Sequence, residues 1–370
     1  MKQINPSDHF LSRHQVHPSQ RQHHVTPVSA PLHVITAITN PNRYYVRYKL
    51  YRAFEKMVAE AGGILTTVEL AVRDRHHEVT SFENPDHVQL RSPDVIWHKE
   101  NLLNVGIRHA IWRYPNAEYF AWIDSDVHFA RPDWAVETIH QLQIYRVVQM
   151  WSHSIDLGPD SQPIANCSSL FHSYLKDRGL LKPPDPKTRA RGLGRGPGVF
   201  HPNHGKGHGK DKPCDAYDAP HKPGMLHSGY AWAARRSAIS DLGGLGDIGV
   251  LGSGDRHMAY ALLGEVERSL PGDLHPSYGE YWLEWQSRAE QFIQRKVGVV
   301  PGTLWHYWHG SKQDRRYGDR WQILRENKFD WRKDLKKDPQ GVWQLTDRNW
   351  QLRDDILNYF SVRNEDSIDI

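Results

Sequence analysis

Two carboxylates one residue apart, Asp124 and Asp126, close an apolar, aromatic stretch that runs from Ala117 through Tyr119-Phe120-Ala121-Trp122-Ile123 toward Phe129. Such a run reads as a buried strand, and in open α/β sheets ligands sit at the strand tips. Paired hard oxygen donors suit Mg²⁺ or Mn²⁺, ions that usually accompany phosphates, with Ser125 between them beside the same ligand. Far downstream, His306 and His309 stand three residues apart and are followed by Gly310, Lys312, Arg315 and Arg316. Those imidazoles can join a metal, and the cations can face phosphate oxygens. Asp255 follows Gly252-Ser253-Gly254 where a helical pattern begins. There it is either a dipole partner or a general base at the mouth of the sheet. Lys99, Asn101 and Asn104 open another helix, whose first N–H groups favour anions, although polar residues are common on any exposed helix end.

These groups need a scaffold, and the hydrophobic pattern supplies one. Leu32 to Thr39 is a β-rich run ended by Asn40-Pro41. An amphipathic helix follows from about residue 42, with Val46, Leu50, Phe54, Met57 and Ala61 at steps of three and four, and Gly62-Gly63 stop it. Ile64 to Leu70 reads as a second strand. The loop after the first strand (Thr39, Asn40, Arg43) then either borders a ligand or only turns and caps the chain. Residues 73–91 are polar and irregular and predict no element. Leu103, Ile107, Ala110 and Ile111 mark the helix that Lys99 opens. A helix begins at Pro132, strands are expected over Tyr145–Trp151 and Gly298–Trp308, and a strand over Gly224–Arg236 leads into a short helix. Further helices are expected near Trp321–Phe329 and Thr346–Phe360. Strands alternating with helices predict an α/β fold with a mainly parallel sheet covered on both faces.

Composition narrows the class. The chain has 370 residues, 38% hydrophobic and 24% charged, with mean hydropathy −0.70, and no window is apolar enough for a membrane span. Met1 to Thr26 has no hydrophobic core of a secretory signal, and two cysteines, Cys167 and Cys214, cannot build a disulfide scaffold; both point to a reducing cytoplasm. A net charge of +4 helps hold anions but does not by itself imply nucleic acid. The expected organisation is a flexible arm over 1–30, a single domain over 31–330 and a helical C-terminal extension over 331–370. A basic, Gly/Pro-rich insertion at about 156–223 interrupts the domain, either as a lid over a phosphorylated ligand or as a tolerated insertion.

Three blocks carry a family resemblance. His98-Lys99-Glu100-Asn101-Leu102-Leu103-Asn104-Val105-Gly106 is similar to the "N-R-A-x-L-L-N-V-G" helix of the β-1,4-galactosyltransferase-like branch of GT-A glycosyltransferases. Phe120 to His128 resembles that branch's metal-binding strand. Gly229 to Leu245, which includes Trp232, together with Gly252-Ser253-Gly254-Asp255, resembles its acceptor-side segment and catalytic acidic block. The resemblance spans roughly residues 31–320. It implies the GT-A version of the α/β fold, a Rossmann-like nucleotide-sugar-binding sheet. It implies Asp126 as a direct Mn²⁺ (or Mg²⁺) ligand, Asp124 holding the metal or the ribose, Asp255 as base, and His306 or His309 as the late ligand. Thr39, Asn40, Arg43, Lys99, Asn104, Ser125, Trp232 and Lys312 complete the expected nucleotide-sugar site. Two departures stand out. Gly254 and Arg256 occupy positions where the branch has Glu and Asp, so an acceptor-binding carboxylate is missing. The tail is also similar to the His-x-x-Gly-x-x-Lys tail of retaining enzymes, with altered spacing, which leaves inversion and retention both open.

The resulting expectation is a metal-dependent hexosyltransferase-like enzyme that moves a sugar from a nucleoside diphosphate, UDP first, to an unidentified glycan, lipid-linked or protein acceptor. A metal-dependent phosphoesterase would need more clustered ligands. A non-enzymatic polyanion binder would act through the basic loop and lose affinity steeply with salt.

Overall fold

A computed structural model describes residues 30–176, 226–311 and 313–368. β1 (His33–Thr39), α1 (Tyr45–Glu60) and β2 (Ile64–Val72) form the opening βαβ unit, with β1 and β2 parallel. The strands are near-continuous hydrophobic runs because both faces are covered. α1 buries Tyr51, Phe54, Met57 and Val58, and Gly62 (φ 70°) lets the chain turn after it. The unassigned polar stretch hides β3 (His87–Ser92), parallel to β2. One buried carboxylate organises the loop before it: Glu69 accepts from the N–H groups of Glu78, Val79 and Thr80 and from the Thr80 hydroxyl. Periodicity cannot reveal a loop pinned by a single side chain.

Next come α2 (Lys99–Arg113), β4 (Tyr119–Ile123), β5 (Val127–Phe129), α3 (Trp134–Ile144) and β6 (Val147–Gln149). The apolar run expected as one strand with Asp124 and Asp126 at its tip ends at Ile123, and the residues just beyond the pair, Val127–Phe129, form a second strand in a different sheet. The expected strand over 298–308 divides in the same way, into β11 (Val297–Val299) and β12 (Thr303–His306). Around the break lie β7 (His153–Leu157), β8 (Pro163–Ser169), α4 (Leu170–Lys176), β9 (Leu226–His227), β10 (Ala231–Arg235), α5 (Arg236–Leu242), α6 (Gly254–Leu262) and α7 (Pro276–Phe292). The large sheet has the order β11-β6-β10-β4-β1-β2-β3, parallel throughout except for β10, which is antiparallel to both neighbours. The α/β class and the mostly parallel sheet are therefore as the sequence predicts. A second sheet runs β5-β12-β7-β8-β9.

Two boundaries need correction. The basic insertion does not begin at 156, because β7, β8 and α4 occupy the chain to residue 176 and bury Cys167, Leu170 and Phe171. In β8 only alternate side chains point inward, so a polar composition conceals a strand. The remainder of the insertion, including the basic run near Arg189–Lys212, and the arm over 1–29 lie outside the described residues. Beyond α8 (Asp319–Glu326), the C-terminal segment is not simply helical. It holds α9 (Trp331–Asp334), the antiparallel pair β13 (Leu335–Lys337) and β14 (Trp343–Leu345), and then α10 (Trp350–Ser361). The unpredicted α7 buries Tyr278, Trp282 and Trp285 in the main core, which accounts for part of the high tryptophan content.

α2 lies flush on the sheet because Gly106 has no side chain. A Cβ there would stand 2.6 Å from Ile35 Cγ2 and 2.8 Å from Val68 Cγ2. Gly106→Val should therefore destabilise the fold by about 1–3 kcal/mol or more, as overpacking does. Urea unfolding checks this; an unchanged midpoint would contradict the close packing of α2 on β1 and β2.

Candidate active site

The site forms where the chain leaves one sheet for the other. β4 ends at Ile123, and the Asp124 N–H donates to the Tyr230 carbonyl at 2.8 Å, just ahead of β10. After Ser125, the Asp126 carbonyl accepts from the Tyr307 N–H at 2.9 Å, and Val127 pairs with His306 at the end of β12. Asp124 thus belongs to the tip of the large sheet and Asp126 to the edge of the small one. Tyr230 takes a positive φ of 76° at this junction.

Asp126, His306 and His309 offer ligand atoms that all lie within 4.8 Å of one another. His309 Nε2 is 3.1 Å from Asp126 Oδ2, and His306 Nε2 is 3.9 Å from Asp126 Oδ1. The two Nε2 atoms face each other at 3.2 Å. Behind His306, Nδ1 lies 3.0 Å from the buried Asp156, which also accepts from the Tyr230 hydroxyl at 2.9 Å. A carboxylate on Nδ1 keeps the proton there and turns the Nε2 lone pair toward the cleft. Burial first, and then the nearby Arg315 cation, push His309 down to about 4, so its ring is neutral at neutral pH. Burial alone would raise Asp126; His309, His306, Arg47 and Arg315 together outweigh it and hold the carboxylate below its usual range.

A divalent cation fits these donors. Asp126 Oδ1 is buried with no hydrogen-bond partner among the described residues, and two imidazole nitrogens converge beside it. One carboxylate with two imidazoles favours Mn²⁺ and later transition ions over Mg²⁺. The Arg315 guanidinium lies against His309, 3.0 Å from Nε2 and 3.3 Å from Nδ1, and places positive charge at the same end of the cleft.

The opposite wall is built by α2 and α6. Lys99 Nζ pairs with Asp124 Oδ1 at 2.5 Å. Burial would lower Lys99, but Asp124, Asp255 and Glu100 more than offset it and keep the ammonium charged. Asp124 is pushed up to about 6 by burial, with Lys99 opposing and Asp126 adding to the rise. Asp255 sits in the first turn of α6, and a Cβ at Gly229 would overlap its Oδ2, so the glycine makes room for the carboxylate. The departure at Gly254 also has a reason: a Cβ there would come within 2.7 Å of the Glu100 carboxyl carbon. Glu100, held by the Trp97 indole at 3.0 Å, fills that space.

One cleft of about 270 Å³ is lined by Thr39, Lys99, Asp124, Ser125, Asp126, Asp255, His306 and His309, all of them named from the sequence. Four other expected residues do not reach it. Asn40 folds back onto the Tyr44 backbone, and Arg43 pairs at the surface with Glu78. Asn104 binds the Leu245 backbone through both ends of its amide and borders a separate cleft beside α5 and α7. Trp232 is buried in the core against Trp122 and Phe171. In each case a polar or aromatic residue at the right address is used for capping or packing. Lys312 lies outside the described residues. Of the two later arginines, Arg315 lines the cleft, whereas Arg316 pairs with Asp319. Sequence reasoning missed Arg47, Asp156, Tyr230, Arg363 and Glu365. Only the polar face of α1 hinted at Arg47; the others carry no local signal.

No family model matches the chain, and no curated protein matches it. Solved structures similar to it include the catalytic domain of Drosophila β1,4-galactosyltransferase 7 in complex with xylobiose, at 10% identity and TM-score 0.30, covering 64% of this chain and 62% of that one. This chain therefore spans less than two thirds of that structure's length. A glycosyltransferase involved in glycosylation of the major capsid of the virus PBCV-1 matches at 12% identity and TM-score 0.20, over 35% and 52% of the two chains. A Desulfovibrio desulfuricans protein bearing the name of a nucleotide-diphospho-sugar transferase matches at 8% identity and TM-score 0.28, over 75% and 81%. These are partial superpositions, and the functional reading rests on the chain's own residues. No helix among the described residues is long and apolar enough to cross a membrane.

Burial pushes Glu100 up to about 7, Lys99 opposing and Asp255 reinforcing the rise. A raised carboxyl binds its proton more tightly when folded, so its stabilisation is complete below about pH 4.5. It falls through the window from 4.5 to 7 and is gone above it, a loss on the order of 3 kcal/mol. Glu100→Gln should remove that part of the slope. Urea denaturation at pH 5 and pH 8 should give a smaller stability difference for the variant than for wild type; equal differences would contradict the assignment.

Proposed function

We propose that this protein is a divalent-metal-dependent glycosyltransferase that moves a sugar from a nucleoside diphosphate, UDP in the first instance, to an acceptor hydroxyl. The observation that carries this reading is the convergence of Asp126, His306 and His309 beside arginines and opposite Asp255 in one cleft. Breaking a sugar–phosphate bond leaves a diphosphate whose charge must be neutralised, and the departing sugar passes through an oxocarbenium-like transition state. Asp126, His306 and His309 would hold the cation, which when bound acts as a Lewis acid on the leaving diphosphate. Arg315 and Arg320, both lining the cleft, add fixed positive charge, and Lys99 keeps Asp124 turned into the cleft. In an inverting displacement Asp255 takes the acceptor hydroxyl's proton as the new C–O bond forms and the bond to phosphate breaks. The cytoplasm remains the expected compartment.

The phosphoesterase alternative gains little, because the described residues hold a single cluster of metal-type ligands rather than two adjacent ones. The test mixes purified protein with Mn²⁺ and a panel of UDP- and GDP-sugars and follows nucleotide release. Asp126→Ala should abolish both Mn²⁺ binding and turnover. Asp255→Asn should lower kcat by about 10²–10⁴-fold, the usual worth of a positioned base, with donor binding retained. Full turnover in EDTA, or an Asp126→Ala enzyme that keeps its metal-dependent rate, would refute the reading.

A further inference from the structure

We propose that the C-terminal segment 363–367 is a built part of this site, with Glu365 as the positioning residue that holds Arg47 and His309 in place. This segment, which follows α10, is fixed at several points. The Asp366 carboxylate accepts from the Tyr45 and Val46 N–H groups, both at 2.9 Å, and so caps α1, whose own N-cap residue makes no side-chain cap bond. The Trp308 indole donates to the Ser367 carbonyl at 2.6 Å, and the Tyr44 hydroxyl donates to the Arg363 carbonyl. Gly310, one residue after His309, holds a φ of 85°, and a Cβ there would overlap the Asn364 carbonyl oxygen. The turn that aims His309 and the C-terminal segment are therefore packed backbone to backbone.

Within this anchored segment Glu365 points inward and is only 4% exposed. It receives the Arg47 guanidinium in a two-pronged contact, Nη2 to Oε1 at 2.7 Å and Nε to Oε2. Its Oε2 also stands 3.6 Å from His309 Nδ1, and Arg363 Nη1 lies 3.8 Å from Oε1. The contact to His309 is longer than a hydrogen bond; it sets the Glu365 carboxylate behind the Nδ1 edge of the ring, while Nε2 faces Asp126 and His306. Asp156 stands in the same relation to His306. Each histidine then has a carboxylate behind it, an arrangement that orients imidazole ligands. Glu365 has a second task. It neutralises Arg47, whose charge would otherwise oppose a cation bound next to Asp126.

The inference rests on the metal-dependent reading above, and the experiment separates the two. Full-length wild type, Glu365→Gln, Asp366→Ala and Asp126→Ala are titrated with Mn²⁺ by calorimetry, and each is melted without metal. Glu365→Gln should bind Mn²⁺ about 10–100-fold more weakly, the usual effect of losing such an outer partner. Asp366→Ala, which removes the two bonds to the start of α1, should weaken binding in the same direction with only the small drop in melting temperature that a lost helix cap brings. That pairing separates positioning from general loss of fold. Wild-type affinity, within twofold, in Asp366→Ala together with a folded Glu365→Gln of unchanged affinity would overturn the proposal while leaving the metal reading intact. A Glu365→Gln variant that unfolds while Asp366→Ala keeps full affinity would also count against it. Absence of any wild-type binding that Asp126→Ala removes would defeat both.

Discussion

The structure depends on a crossover of three residues. Between Ile123 and Val127 the chain leaves a seven-stranded sheet and enters a five-stranded one, so Asp124, Ser125 and Asp126 are held by hydrogen bonds to both. The Asp124 N–H is bound on the large-sheet side and the Asp126 carbonyl on the other. This explains how two carboxylates one residue apart take different tasks. Asp124 turns toward Lys99 on α2, and Asp126 turns toward the histidines that follow β12. A single continuous strand would send alternate side chains to one face, with both carboxylates competing for one partner.

Around that crossover, positive and negative groups interleave rather than separate. Three carboxylates in the cleft each meet a cation or imidazole from a distant element: Asp124 meets Lys99, Asp126 meets His309, and Glu365 meets Arg47. Buried charges are tolerable only when so compensated, and removing one partner leaves the other costly. The cleft therefore reads as a balanced set in which any ligand must substitute for contacts already present, as Arg315 against His309 illustrates.

Much of the framework was legible from sequence because it rests on local pattern. β1, α1, β2, α2 and α3 follow from apolar periodicity, and the Asp124–Asp126 and His306–His309 pairs follow from residue type. Elements whose signal is not periodic escaped. β3 sits behind a loop organised by one buried glutamate, and β8 carries a polar outward face. Within the site, Asn104 and Trp232 show the opposite failure: both resembled ligand-binding positions, but each side chain has a packing or backbone partner nearby that sequence spacing does not reveal.

Sequence alone therefore determined the class of fold and the types of side chain that line the cleft. Those depend on short-range hydrophobic alternation and on the intrinsic donor chemistry of side chains. Only the tertiary structure decided which groups meet. Asp156 and Glu365 lie 150 and 56 residues from the histidines they face, His306 and His309. No local rule links positions so far apart. Their encounter is set by which strands pair at the sheet junction, and by where the last turn of chain packs against the first helix.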